Sequence, residues 1–207
     1  MAQSAKFWDI IAKFYAKQPV ADEASYQKKL AVTREYLRPD MEVLEFGCGT
    51  GSTAIVHAPY VKHIQAVDIS AKMLKIAQGK ATASNITNIT FTQSTLDQLD
   101  IPDQSLDVVL GLSILHLLED KAATIAQVHK ILKPGGIFVT STTCLDGSNQ
   151  LFQRIMSIGT ALGILPLIKF FTVQELVDSF TQSGFEIDHQ WQPSPDKAVF
   201  IIAKKPM

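Results

Sequence analysis

Apolar positions change period along this chain. Over residues 4–38 they recur at helical spacing, first as Phe7, Ile10, Ile11, Phe14 and Tyr15. Past a break at Pro19 they continue as Tyr26, Leu30, Thr33 and Leu37. Arg38-Pro39-Asp40 closes that stretch. Short apolar runs then alternate with helical ones. Strands are predicted over 43–46, 64–67, 89–91, 106–110 and 137–141, and helices over 52–57, 70–78 and 121–132. Lys133-Pro134-Gly135-Gly136 reads as the turn into the fifth strand. A helix over 173–183 ends at Gly184, and strands over 185–191 and 197–203 follow, with Pro193 and Pro195 between them. This order predicts an α/β fold: a mostly parallel sheet covered by helices on both faces, with an antiparallel C-terminal hairpin at one edge.

The pattern shows no repeat and no second unit. It predicts a single domain over 1–207, with an N-terminal helical cap at 1–38 and a hydrophobic insertion at 142–172. Within that insertion, residues 151–171 carry only 14 uncharged residues between Arg154 and Lys169, short of a membrane span. Three readings stay open for it: a roof over a hydrophobic substrate, core or a dimer contact, and peripheral attachment to a membrane. A monomer and a homodimer are equally compatible with the sequence. With 46% hydrophobic and 19% charged residues the chain is neither disordered nor fibrous. A net charge of -1 argues against holding nucleic acid by bulk charge. Cys48 and Cys144 are too few for a disulfide scaffold, and residues 1–8 lack a signal-peptide core, so a reducing, cytoplasmic setting is expected.

The sharpest chemical signal is Val43-Leu44-Glu45-Phe46-Gly47-Cys48-Gly49-Thr50-Gly51, an apolar strand running into three alternating glycines. Glycine there permits left-handed backbone and close ligand approach, and the following helix offers unpaired N–H groups. The spacing fits neither the dinucleotide fingerprint nor a P-loop. A nucleoside cofactor and a tight structural turn both remain open on this motif alone. Asp68 ends the second strand, where a carboxylate would accept from both ribose hydroxyls or cap the helix from Ser70.

With those residues in place, the chain resembles the class I S-adenosylmethionine-dependent methyltransferases, in particular the broad ubiquinone/menaquinone biosynthesis subgroup. The resemblance covers 43–141. It also takes in Val67-Asp68-Ile69-Ser70, Met73-Leu74, the run from Leu99 to Val109, and Leu132-Lys133-Pro134-Gly135-Gly136. It implies a Rossmann-like seven-stranded fold and S-adenosyl-L-methionine as cofactor, leaving as S-adenosyl-L-homocysteine. It also implies that Glu45 anchors the amino end of the methionine and that Gly47, Cys48, Gly49 and Gly51 line it. Asp68 would take the ribose hydroxyls, Ile69 would pack on adenine, and Thr95 and Leu96 would meet the adenine edge. Met73 and Leu112 complete the implied cofactor set. Many relatives carry Asp at the position of Thr95, whose hydroxyl accepts without a formal charge. Tyr15 matches the tyrosine of an Ala-x-x-Tyr-Asp pattern that closes over the methionine carboxylate, with Ala16 in place of the Asp.

Methyl transfer from a sulfonium chiefly needs alignment, and no metal is expected because the five histidines form no ligand spacing. Two catalytic candidates emerge. His116, in the loop after the fourth strand, is a base or substrate contact, and the competing reading is a structural histidine. Tyr26 in the helical cap would orient the nucleophile. The loop lacks the Asn/Asp-Pro-Pro-Tyr/Phe and Pro-Cys motifs of base-modifying relatives, and no basic stripe with interleaved aromatics is present. The expected acceptor is therefore a small, apolar or aromatic molecule methylated at O, N or C, with no direct nucleic acid binding. The alternatives are a nucleic-acid or protein methyltransferase that needs a partner, and a non-catalytic cofactor-binding regulatory subunit.

Overall fold

A computed structural model of the protein describes residues 2–144, 154, 158–160 and 165–207. Two helices open the chain, α1 (Ala2–Tyr15) and α2 (Glu23–Arg34), with Pro19 in the gap between them. There follow β1 (Glu42–Phe46), α3 (Ser52–His57), β2 (His63–Asp68), α4 (Ala71–Ala83), β3 (Ile89–Gln93) and β4 (Leu106–Leu112). Next come α5 (Lys121–Ile131) and β5 (Leu132–Thr142), and then a last helix, α6 (Val173–Gln182), with β6 (Glu186–Trp191) and β7 (Val199–Lys204). Side-chain caps define several helix starts: Asp22 for α2, Ser70 for α4, Asp120 for α5, and a Thr172/Glu175 capping box for α6.

The strands form one seven-stranded sheet in the order β3-β2-β1-β4-β5-β7-β6. All pairs are parallel except β5 with β7 and β7 with β6. The expected antiparallel edge hairpin is present. Chain order reverses between β1 and β4, and ligands of open α/β sheets bind at such a switch, beyond the carboxyl ends of the strands. Leu44, Phe46, Val109, Phe138 and Ile201 face α5 and α6, packing on Ile125, Val128, Leu176 and Phe180. Val43, Ile64, Leu110, Val139 and Phe200 face the other layer, where α2, α3 and α4 contribute Val32, Ala54 and Leu74. β1 and β4 are thus buried on both faces, which is why their sequences are largely apolar, broken by Glu45 and Asp107.

Two predicted boundaries shift. The second sheet-covering helix runs to Ala83, well past the expected 78, because Ala77 and Ala81 extend its buried stripe. β5 begins at Leu132, opposite Leu106, and Lys133-Pro134-Gly135-Gly136 is a bulge before pairing resumes at Ile137 with Val108. Gly135 takes φ 75° there, and Lys133 Nζ reaches Asp107 Oδ2 at 2.8 Å. Of the 142–172 insertion, residues 145–153, 155–157 and 161–164 lie outside the described residues, so most of the predicted roof lies there too. Its end is anchored, with Phe171 buried in the core beneath Lys121. No helix among the described residues is long and apolar enough to cross a membrane.

Gly111, next to the end of β4, lets two rings meet over the sheet. A Cβ there would sit 2.8 Å from Phe46 Cζ and 3.0 Å from Phe138 Cε2. Gly111→Ala is therefore expected to cost about 1–3 kcal/mol through overpacking. A thermal melt should fall by several degrees, and an unchanged midpoint would show that the rings yield freely.

Candidate active site

The glycine turn is left-handed at all three positions, with φ 65° at Gly47, 54° at Gly49 and 72° at Gly51. The reasons differ. A Cβ on Gly47 would meet Ile114 at 2.8 Å, and one on Gly51 would meet Ala77 at 2.8 Å, so both positions are closed by packing. Gly49 has no neighbour within 4 Å of that point, so its backbone borders open space. Lys80 of α4 braces the turn from outside, donating to Thr50 Oγ1 and Ser52 Oγ at 3.0 Å each. The helix that follows, α3, has only six residues and contributes little dipole.

Glu45 stands directly before this turn and is almost fully buried. Its Oε2 has no hydrogen-bond partner among the described residues. Burial, with the Asp68 charge adding to it, pushes its pKa up to about 8. A buried acceptor left open in this way fits a cationic ligand group such as an ammonium.

Asp68 ties the turn to β2. Its Oδ2 accepts from the Gly49 N–H and its Oδ1 from the Ser70 N–H, both at 2.8 Å. Burial raises its pKa against these hydrogen bonds. The capping reading of this residue is corrected: Ser70 is the cap of α4, and Asp68 orients both that cap and the glycine turn. Asp9, which the sequence reading missed, completes the group. Its Oδ1 accepts from Ser70 Oγ at 2.6 Å and from the Lys72 N–H at 3.0 Å, fastening α1 to the start of α4. A lone acid in an amphipathic helix gives no signal of that contact.

Around this centre the remaining predicted residues take distinct places. Thr95 Oγ1 is buried without a partner, free for an adenine edge. The Leu96 carbonyl accepts from Gln127 Nε2 at 3.1 Å, so contact with a ligand would fall to its N–H. Ile69 is half-buried, and its carbonyl accepts from Gln93 Nε2. Cys48 packs in the core layer of Ala54 and Leu74, and Met73 is buried as well. Burial raises the Cys48 pKa far above the ordinary thiol range.

The Tyr26 hydroxyl is buried without a hydrogen-bond partner among the described residues, and burial raises its pKa, with the Glu45 charge adding to it. That puts Tyr26 on the Glu45 side of the site. Tyr15 lies within electrostatic range of it, is about half exposed, and meets Trp8 edge-on. At the end of β4, Leu112 pairs with Ser141, and Ser113 is held at φ 57°, rare for a side-chain-bearing residue. His116 lies in the short 3₁₀ turn Leu115–Leu117, with Nδ1 buried and unpartnered. Burial lowers its pKa, so the ring is neutral at physiological pH.

These residues fit the adenosyl sulfonium that the resemblance implies: a buried carboxyl oxygen without a partner for an ammonium, a braced carboxylate for a diol, and a buried hydroxyl without a partner for an adenine edge. Comparisons with known proteins agree. A family model described as a methyltransferase domain matches residues 37–193. The demethylmenaquinone methyltransferase of Symbiobacterium thermophilum is 28% identical over 206 residues, which cover 93% of this chain and 79% of that protein. The uncharacterized methyltransferase YcgJ of Bacillus subtilis is 30% identical over 128 residues, 62% of this chain, and the match spans only about half (50%) of that relative. A solved S-adenosylmethionine-dependent methyltransferase from Mesorhizobium loti shares the fold with a TM-score of 0.70 at 23% identity, covering 89% of this chain and 99% of that one.

Proposed function

The chain belongs to the methyltransferase domain family, whose cofactor is S-adenosylmethionine, and from that premise we propose that it methylates a small apolar or aromatic molecule at oxygen, nitrogen or carbon. One observation carries the reading: the buried Glu45 carboxylate, its Oε2 without a partner, stands just before a glycine turn that Asp68 braces. When bound, the cofactor supplies a methyl group on a positively charged sulfur and leaves as S-adenosylhomocysteine. The chain does the holding. Glu45 takes the ammonium, Asp68 the ribose hydroxyls, and Thr95 and Leu96 the adenine edge, while Tyr15 closes the methionine end and Tyr26 orients the nucleophile. Position and alignment supply most of the acceleration in such a displacement.

Where the acceptor atom bears a proton, His116 Nδ1 receives it, being neutral, buried and without another partner. A small acceptor is supported by the near-zero net charge, and by the match over 93% of the chain to a relative named for demethylmenaquinone. Cofactor consumption by the isolated chain, screened across quinol, phenol, amine and lipid acceptors, tests the proposal. Turnover with any of these acceptors separates an enzyme from a regulatory subunit. With an acceptor in hand, His116→Ala should lose about 10²–10⁴-fold in kcat while S-adenosylhomocysteine affinity stays within about twofold. Undiminished turnover in that variant would remove His116 from the chemistry.

A further inference from the structure

Lys29 is a cation whose placement the cofactor reading leaves unexplained. It projects from α2 to the carboxyl end of β5, where Nζ donates to Ser141 Oγ at 2.8 Å. Ser141 is buried, Lys29 is half-buried, and no carboxylate among the described residues lies within ion-pair distance of the ammonium. Burial lowers its pKa, and Asp22, the acid that partly offsets this, is bonded instead to Ser25. Its neighbour Lys28 is accounted for, stacking on Trp191 at 4.0 Å. A half-desolvated ammonium with a single neutral partner lacks an anion.

The location says whose anion. Ser141 pairs with Leu112, the last residue of β4, and its carbonyl accepts from the N–H of strained Ser113 at 2.7 Å. Glu45 lies on β1, with β4 between it and β5. At ordinary strand spacing that is a lateral separation of roughly 10 Å. An amino acid held by its ammonium at Glu45 carries its own carboxylate on the same carbon, within about 4 Å by covalent geometry. Lys29 therefore sits at the carboxyl ends of β4 and β5, two strands from Glu45, on the sheet edge where ligands of such folds bind.

We propose that Lys29, seated on Ser141, anchors an acidic group of the methyl acceptor, so that the substrate is an apolar or aromatic body bearing a carboxylate or a comparable anionic oxygen. This rests on the methyl-transfer reading and narrows its substrate class. Lys29 acts as a specificity-determining residue and takes no part in the bond-making step.

The test uses the full chain loaded with S-adenosylhomocysteine and titrated calorimetrically with matched acids and amides: benzoate and benzamide, 4-hydroxybenzoate and 4-hydroxybenzamide, hexanoate and hexanamide. The acids are expected to bind at least about tenfold more tightly than their amides. Lys29→Met should erase that preference, Lys29→Arg should retain it, and neither should change S-adenosylhomocysteine affinity by more than about twofold. A panel in which no acid outbinds its amide overturns the proposal, and so does a preference that survives in Lys29→Met. Lost S-adenosylhomocysteine affinity in Lys29→Met would reassign the lysine to the cofactor's own carboxylate, which also overturns it. A wild-type chain that ignores S-adenosylhomocysteine altogether would instead sink the methyl-transfer reading, before any acid is added.

Discussion

Asp68→Ala is expected to weaken S-adenosylhomocysteine binding by at least about 100-fold, read by calorimetry on the folded variant. The reasoning has two layers. A carboxylate accepting from a diol forms charge-assisted hydrogen bonds, each contributing about 1.5–3 kcal/mol. The same side chain orients the Gly49 and Ser70 N–H groups, so its loss also frees the glycine turn and the cap of α4. A lower thermal midpoint should accompany the binding loss. If affinity fell by less than about fivefold, Asp68 would be only a structural brace and the ribose would lie elsewhere.

Glu45→Gln should separate stability from binding. Burial raises the folded-state pKa of Glu45 to about 8, above the ordinary carboxylate value of the unfolded chain. The folded protein therefore holds this proton more tightly than the unfolded chain does. Glu45 costs nothing below the unfolded value, destabilises progressively as pH rises from there toward 8, and adds no further loss above that. Every tenfold difference in proton affinity is equivalent to about 1.4 kcal/mol, so the penalty in the ligand-free protein reaches a few kcal/mol. Glu45→Gln removes it. The variant should melt with the wild type at pH 4 and above it at pH 8, while binding S-adenosylhomocysteine about 10–100-fold more weakly, having lost the charge that meets the ammonium. Coincident melts at pH 8 would show that Oε2 is solvated in solution. The wild type should also release a proton on binding at pH 7, visible as a buffer-dependent heat.

Most of the architecture is legible in the sequence because strands buried on both faces leave largely apolar runs, as in Leu106–Leu112, and helices leave periodic ones. The bulge at Gly135 reads in sequence as a simple turn, because one glycine-proline signature serves both and only the partner strand distinguishes them. Glu45 and Asp68 stand out by sitting at the ends of apolar strands. Asp9 and Lys29 do not. Each acts on residues far along the chain, Ser70 and Ser141, and on a helix surface an isolated charge looks like any solvated one. Tyr26 is legible as a polar residue on a buried face, but its direction, toward Glu45, depends on how α2 crosses the sheet.

The antiparallel insertion of β7 has a bearing on how this protein is made. The outer edge of β5 pairs only with β7, which is synthesised after the segment that follows β5, then α6, then β6. During translation, a row of apolar side chains ending at Thr142 therefore waits beside unsatisfied backbone groups until the Val199–Lys204 stretch clears the ribosome. Nascent chains stalled or cut before that point present a ready template for strand addition, so production should depend on chaperone supply more than the stability of the finished sheet suggests.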